Sequence, residues 1–206
     1  MTTGSVEAVH TAVGSMAGYI FQPDRALVIL CSCTSKQSVS IELFDDVAVA
    51  DETGVVAQRE QTKNTIQEET STFGDRSKDL WNTLSIWCSA IKSGELDIAT
   101  TKLVCVTNAE LDPSSLVMKI AAAKDRKTIL EVLDLLKKAV ASPPLGIKNI
   151  IDKVLGDEEN LKKVIAQIHV VYSNTLERRN EEIAEKTSFA RKYKSKRNGN
   201  DERMVP

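Results

Sequence analysis

The sequence predicts an α/β protein, a mixed β-sheet flanked by helices. Two observations lead there. Short β-branched or alternating runs (Val39–Leu43, Val47–Ala50, Val55–Lys63, Lys102–Val106, Gln167–Tyr172) are separated by longer segments whose apolar residues recur every three or four positions. The first three strand-like runs also follow one another closely, whereas helical stretches separate the last two. A meander followed by strand–helix–strand connections gives a mixed sheet with helices packed on it.

The elements follow from local chemistry. Residues 5–13 suit a short helix, and Gly18–Cys33 a second one, with Pro23 in its first turn and an apolar face of Ala26, Leu27, Ile29 and Leu30. Thr53-Gly54 provides the turn between the second and third strands. Asn64–Phe73 is polar and reads as a loop. Asp75 or Ser77 caps a helix carrying Leu80, Leu84, Trp87 and Ile91, which Gly94 ends. Asp112-Pro113 opens another helix, and Ile129, Val132, Leu133 and Leu136 stripe the next until Pro143-Pro144 stops it. Asp157 caps a helix with Leu161, Val164 and Ile165. From Thr175 to Arg197 the pattern is helical but sparsely apolar.

No repeat or linker divides the chain before about residue 174. The expected organisation is a folded unit over 1–173, a C-terminal docking helix over 174–197, and a disordered tail over 198–206.

Composition excludes several classes. Of 206 residues 42% are hydrophobic and 27% charged, values of an ordinary globular protein with a core to bury. No apolar run approaches membrane-spanning length, and the N-terminus lacks a basic-then-apolar signal, so a cytoplasmic location and no membrane partner are expected. Cys31, Cys33, Cys88 and Cys105 lack zinc-ligand spacing and read as free thiols. Gly14-Ser-Met-Ala-Gly18 lacks the Gly-Lys-Ser/Thr of a nucleotide loop. Net charge is −2, yet Arg191–Arg197 holds five basic residues and no acid, so a local anion-binding patch is compatible with the sequence.

The chemistry-bearing constellation is Glu42-Leu-Phe-Asp45-Asp46-Val47 followed by Gln61-Thr62-Lys63. Phosphodiester cleavage needs a cation at the phosphate, a water held in line and a stabilised leaving oxygen. Mg²⁺ accepts one or two carboxylates with a further oxygen and keeps several waters. Asp46 supplies the carboxylate, with Asp45 its rival. Strand alternation places Gln61 and Lys63 on one face and Glu60 and Thr62 on the other. In that register the Gln61 oxygen faces the metal or its water and Lys63 the nucleophile. Glu60 is a carboxylate of the wrong parity. Trp81 and Trp87 read as core, and His169 as a packed strand histidine.

These residues resemble the PD-(D/E)xK nuclease superfamily, in particular the DNA endonuclease domains of SAVED-linked cyclic-oligonucleotide defence effectors and those beside HerA-type ATPases in anti-phage islands. The resemblance runs through Gly18-Tyr-Ile-Phe-Gln22 with Ala26-Leu27, then Val39-Ser-Ile-Glu42, Asp45-Asp46-Val47, Gln61-x-Lys63 and Leu80-Trp81-x-Thr-Leu84. It spans about residues 14 to 110. It implies a restriction-endonuclease-like sheet, here with a C-terminal helical extension. The site it implies has Asp46 or Asp45 with Gln61 as metal ligands, Lys63 as the catalytic lysine, Glu42 as an accessory acid, and Gln22 near the centre. It further implies Mg²⁺ or Mn²⁺, DNA as substrate, homo-oligomers, and a HerA-type hexameric ATPase as partner. Gln61 departs from the acid frequent at that position, and no SAVED-like sensor follows residue 174. The competing expectation is a non-catalytic nucleic-acid-binding or assembly subunit with a degenerate nuclease fold.

Overall fold

The computed structural model describes the backbone of residues 4–65 and 72–201, and the side chains of residues 16, 18–65 and 72–188. The fold is α/β, as expected: one five-stranded mixed sheet with helices on both faces. Its strands are β1 (Ser38–Ile41), β2 (Val47–Ala50), β3 (Val56–Lys63), β4 (Lys102–Thr107) and β5 (Ile168–Val171), lying side by side in chain order. β1, β2 and β3 are antiparallel neighbours, whereas β3, β4 and β5 run parallel. The meander turns at Gly54, which adopts φ 85°, and the Asp51 carboxylate accepts the Thr53 and Val55 N–H groups there.

α1 (Gly4–Leu30) lies on one face of the sheet, where Phe21 packs against Val104 and Val106. The sequence suggests two helices here, but the structure has one. Pro23 cannot donate to the carbonyl one turn earlier. Tyr19 and Pro23 are both exposed, so the forgone bond lies on the solvent side while Phe21, Arg25 and Val28 stay buried. α7 (Leu176–Asp201) lies beside α1, tied to it by Arg179 to Asp24 and by Lys186 Nζ to the Val28 carbonyl. The expected tail begins too early. Residues 198–201 continue α7, because Asn198 and Gly199 weaken a helix without breaking it. Residues 202–206, and the side chains of the basic run Arg191–Arg197, lie outside the described residues.

The opposite face carries the main core. α2 (Lys78–Ser93) connects β3 to β4, and α3 (Leu116–Ala122), α4 (Arg126–Ala139), α5 (Lys148–Leu155) and α6 (Glu158–Gln167) connect β4 to β5. Leu80, Trp81, Leu84 and Trp87 pack there with Leu103, Cys105, Ile120, Leu136 and Ile165. Ser77 caps α2 by accepting the Leu80 N–H, and Gly94 closes it at φ 78°. Asp75 serves elsewhere: its carboxylate accepts the Leu116 N–H at the start of α3. α5 has no counterpart among the elements expected from sequence; Ile151 and Val154 bury its inner side. Among the described residues no helix is long and apolar enough to cross a membrane.

Candidate active site

The acids sit where β2 begins and β3 ends. Val47 is the first residue of β2 and pairs with Glu60, so the residues just before it lie opposite Gln61 and Thr62. Straight continuation of the strand would put Asp46 beside Gln61. Instead the chain leaves the pleat in a tight turn closed by the Glu42 N–H donating to the Asp46 carbonyl at 3.2 Å, with Glu42 in the left-handed region at φ 57°. Lifting the pair out of register exchanges their partners.

Asp46 turns to Thr62. Its Oδ2 accepts the Thr62 N–H at 2.6 Å and the Thr62 hydroxyl at 2.9 Å, while its Oδ1 has no partner among the described residues. Asp45 points to the main core and is 8% exposed. It accepts from the Gln61 amide, itself 6% exposed, and from Trp87 Nε1 at 2.7 Å. Burial pushes the Asp45 carboxyl from 3.8 up to about 6; the Trp87 and Gln61 donors pull against that, the Asp46 charge adds to it, and Arg59 opposes it.

One open cleft of about 320 Å³ gathers the remaining residues. It is lined by Gly18, Tyr19 and Gln22 of α1, Glu42 and Asp46 of the turn, and Thr62, Lys63 and Asn64 at the end of β3. Gln22 Nε2 donates to Glu42 Oε1 at 2.6 Å and fixes that carboxylate over the cleft. Asp46, Lys63, Glu42 and Gln22 thus converge as the sequence suggests. Gln61 and Asp45 do not line this cleft, and stand behind it on the Trp87 side. The expected pairing of Gln61 with Asp46 is therefore not observed, its partner being Asp45. The face expected to be shared by Gln61 and Lys63 is split: Lys63, the last residue of β3, lines the cleft with Thr62, and Gln61 does not.

Glu60 is fully occupied elsewhere. At 0% exposure it takes Arg25 Nε at 2.8 Å and Nη2 at 3.0 Å, with Gln58 Nε2 at 2.7 Å. Such a buried, saturated ion pair anchors α1 to β3. Arg59 performs a similar task for the turn: it donates to the Phe44 carbonyl and to Glu95, joining the acids' turn to the end of α2. Sequence reasoning did not single out either arginine. The signal was the unbroken polar run Gln58–Lys63, which makes both sides polar in a strand that nonetheless pairs on both edges.

The cleft suits a hard cation. Asp46 and Glu42 each present a carboxylate, which with waters and a substrate phosphate matches Mg²⁺ or Mn²⁺. Among the described residues there is no group of three or more His, Cys, Asp or Glu side chains placed to hold a metal. Trp81 and Trp87 are wholly buried, and His169 lies exposed on β5 away from the cleft. No family model, curated protein or solved structure matches the chain.

Proposed function

We propose that the protein is a Mg²⁺-dependent endodeoxyribonuclease that cuts double-stranded DNA with little sequence preference. The observation that carries the reading is the convergence of Asp46, Glu42 and Lys63 in one open cleft at the carboxyl end of β3. Ligand sites of α/β sheets gather at such strand ends. A bound Mg²⁺ would neutralise the phosphate and sharpen a water nucleophile. Asp46 and Glu42 hold the cation, and Thr62 fixes the Asp46 carboxylate through two hydrogen bonds. Lys63 reaches the phosphate and orients the attacking water. Gln22 keeps Glu42 turned inward, and Asp45 with Gln61 and Trp87 braces the wall behind.

An uncontrolled nuclease is toxic, so activity is gated by assembly with further copies or with a ring-shaped ATPase. That role in prokaryotic anti-phage defence rests on the family resemblance. One observation favours a second reading, a non-catalytic nucleic-acid-binding subunit: Gln61 is committed to Asp45, leaving two carboxylates in the cleft.

Cleavage of supercoiled plasmid separates the two. Assembled wild type with Mg²⁺ cuts, EDTA stops it, and Lys63→Ala and Asp46→Ala each slow it by roughly 100-fold or more. Equal cutting by all three proteins sinks the site, and plasmid binding without cutting, in the isolated chain and in its assembled form alike, favours the second reading.

A further inference from the structure

A second pocket of about 380 Å³ opens beside the cleft, across α1. Residues Gly18, Tyr19 and Gln22 face the cleft, whereas Ile20, Phe21 and Asp24 face the pocket. At about 100° per residue these sets project from opposite flanks of the helix. Asn64, directly after Lys63, lines both. A strand with its phosphate at Lys63 therefore passes over exposed Tyr19 and Ile20 and brings a neighbouring nucleotide to the pocket mouth.

The walls specify what can enter. Ile20 and Leu176 are exposed apolar surfaces at the rim. Arg179 forms part of the wall at 5% exposure, lying 4.4 Å over the Phe21 ring and bonded to Asp24 and the Asn174 carbonyl. Its Nε has no hydrogen-bond partner among the described residues. Asp24 and Glu177 add two carboxylates against this single guanidinium, so a phosphate is repelled. A flat neutral group bearing an amino donor is accommodated: apolar edges cover its faces and the carboxylates accept its N–H groups.

We propose that this pocket receives an unstacked, amino-bearing nucleobase of the substrate strand, cytosine, adenine or guanine, next to the scissile phosphate. The inference deepens the nuclease reading and rests on it for the identity of the strand. Extruded bases are commonly held this way, by stacking walls and edge acceptors.

Methyl NMR of the full chain, titrated with free nucleosides, tests it without metal or cleavage. Cytidine, adenosine and guanosine shift the Ile20 and Leu176 methyl signals saturably, and thymidine binds about tenfold more weakly because it lacks the amino donor. Leu176→Trp fills the mouth and abolishes the shifts at Ile20; Ile20→Trp does the same for Leu176. Lys63→Ala leaves the shifts intact. Absence of shifts with every nucleoside, thymidine equal to cytidine, or shifts that survive both tryptophan variants overturns the proposal. Shifts without plasmid cleavage by the assembled protein defeat only the nuclease reading, and cleavage without shifts defeats only the pocket.

Discussion

Replacing Asp45 by Asn separates the folding role of this residue from its functional one. The carboxyl is buried against Trp87 and Gln61, and its pKa stands at about 6 instead of 3.8. At about 1.4 kcal/mol per unit, the native state carries a penalty of about 3 kcal/mol once the group is ionised in both states. The native form binds more protons than the unfolded chain between the two values. Stability is therefore lost as pH rises from about 4 to about 6, and is level above that. Asparagine keeps the shape and an oxygen for Trp87 Nε1, and it carries no charge. Urea unfolding of both proteins should show Asp45→Asn gaining on wild type by about 2 kcal/mol between about pH 4.5 and about pH 7.5. A difference that stays constant across this range, or a variant that loses ground at neutral pH, would refute the reasoning. If the gain is found together with reduced plasmid cleavage, Asp45 is retained for function at the expense of stability.

Three further substitutions probe the supports of the cleft. Arg25→Leu leaves Glu60 buried without its cation and should destabilise by about 3–5 kcal/mol in urea unfolding, with much of the loss recovered by also making Glu60→Leu. Trp87→Phe removes the 2.7 Å bond to Asp45, so neutral-pH stability should fall by about 2 kcal/mol and the pH-dependent step should move above pH 6. Thr62→Val keeps the backbone bond to Asp46 but loses the hydroxyl bond; Mn²⁺ affinity by calorimetric titration should drop about tenfold with the fold intact.

Much of the frame was legible because its signals are local. The Ser77 and Gly94 caps of α2 and the Gly54 turn are each set by a side chain or backbone conformation within a few residues. The convergence of Asp46 with Lys63 was legible too, since an antiparallel hairpin must bring the start of β2 to the end of β3. What eluded sequence was decided by tertiary contacts. Pro23 continues a helix because solvent faces the forgone bond, and Ile151 and Val154 make a short helix where only a proline stop was visible. The exchange of Asp45 and Asp46 depends on a turn bolted down by Arg59 to Glu95, far along the chain. Nothing within Glu42–Val47 announces that arginine.

The claim beneath the functional reading is that a divalent cation sits at Asp46. Crystals soaked in Mn²⁺ and measured for anomalous scattering test it most directly. The account predicts a peak in the cleft within coordination distance of Asp46 Oδ1 and near Glu42, lost in Asp46→Ala. A peak at Asp45 and Gln61 instead, or none in the cleft at saturating Mn²⁺, would contradict it.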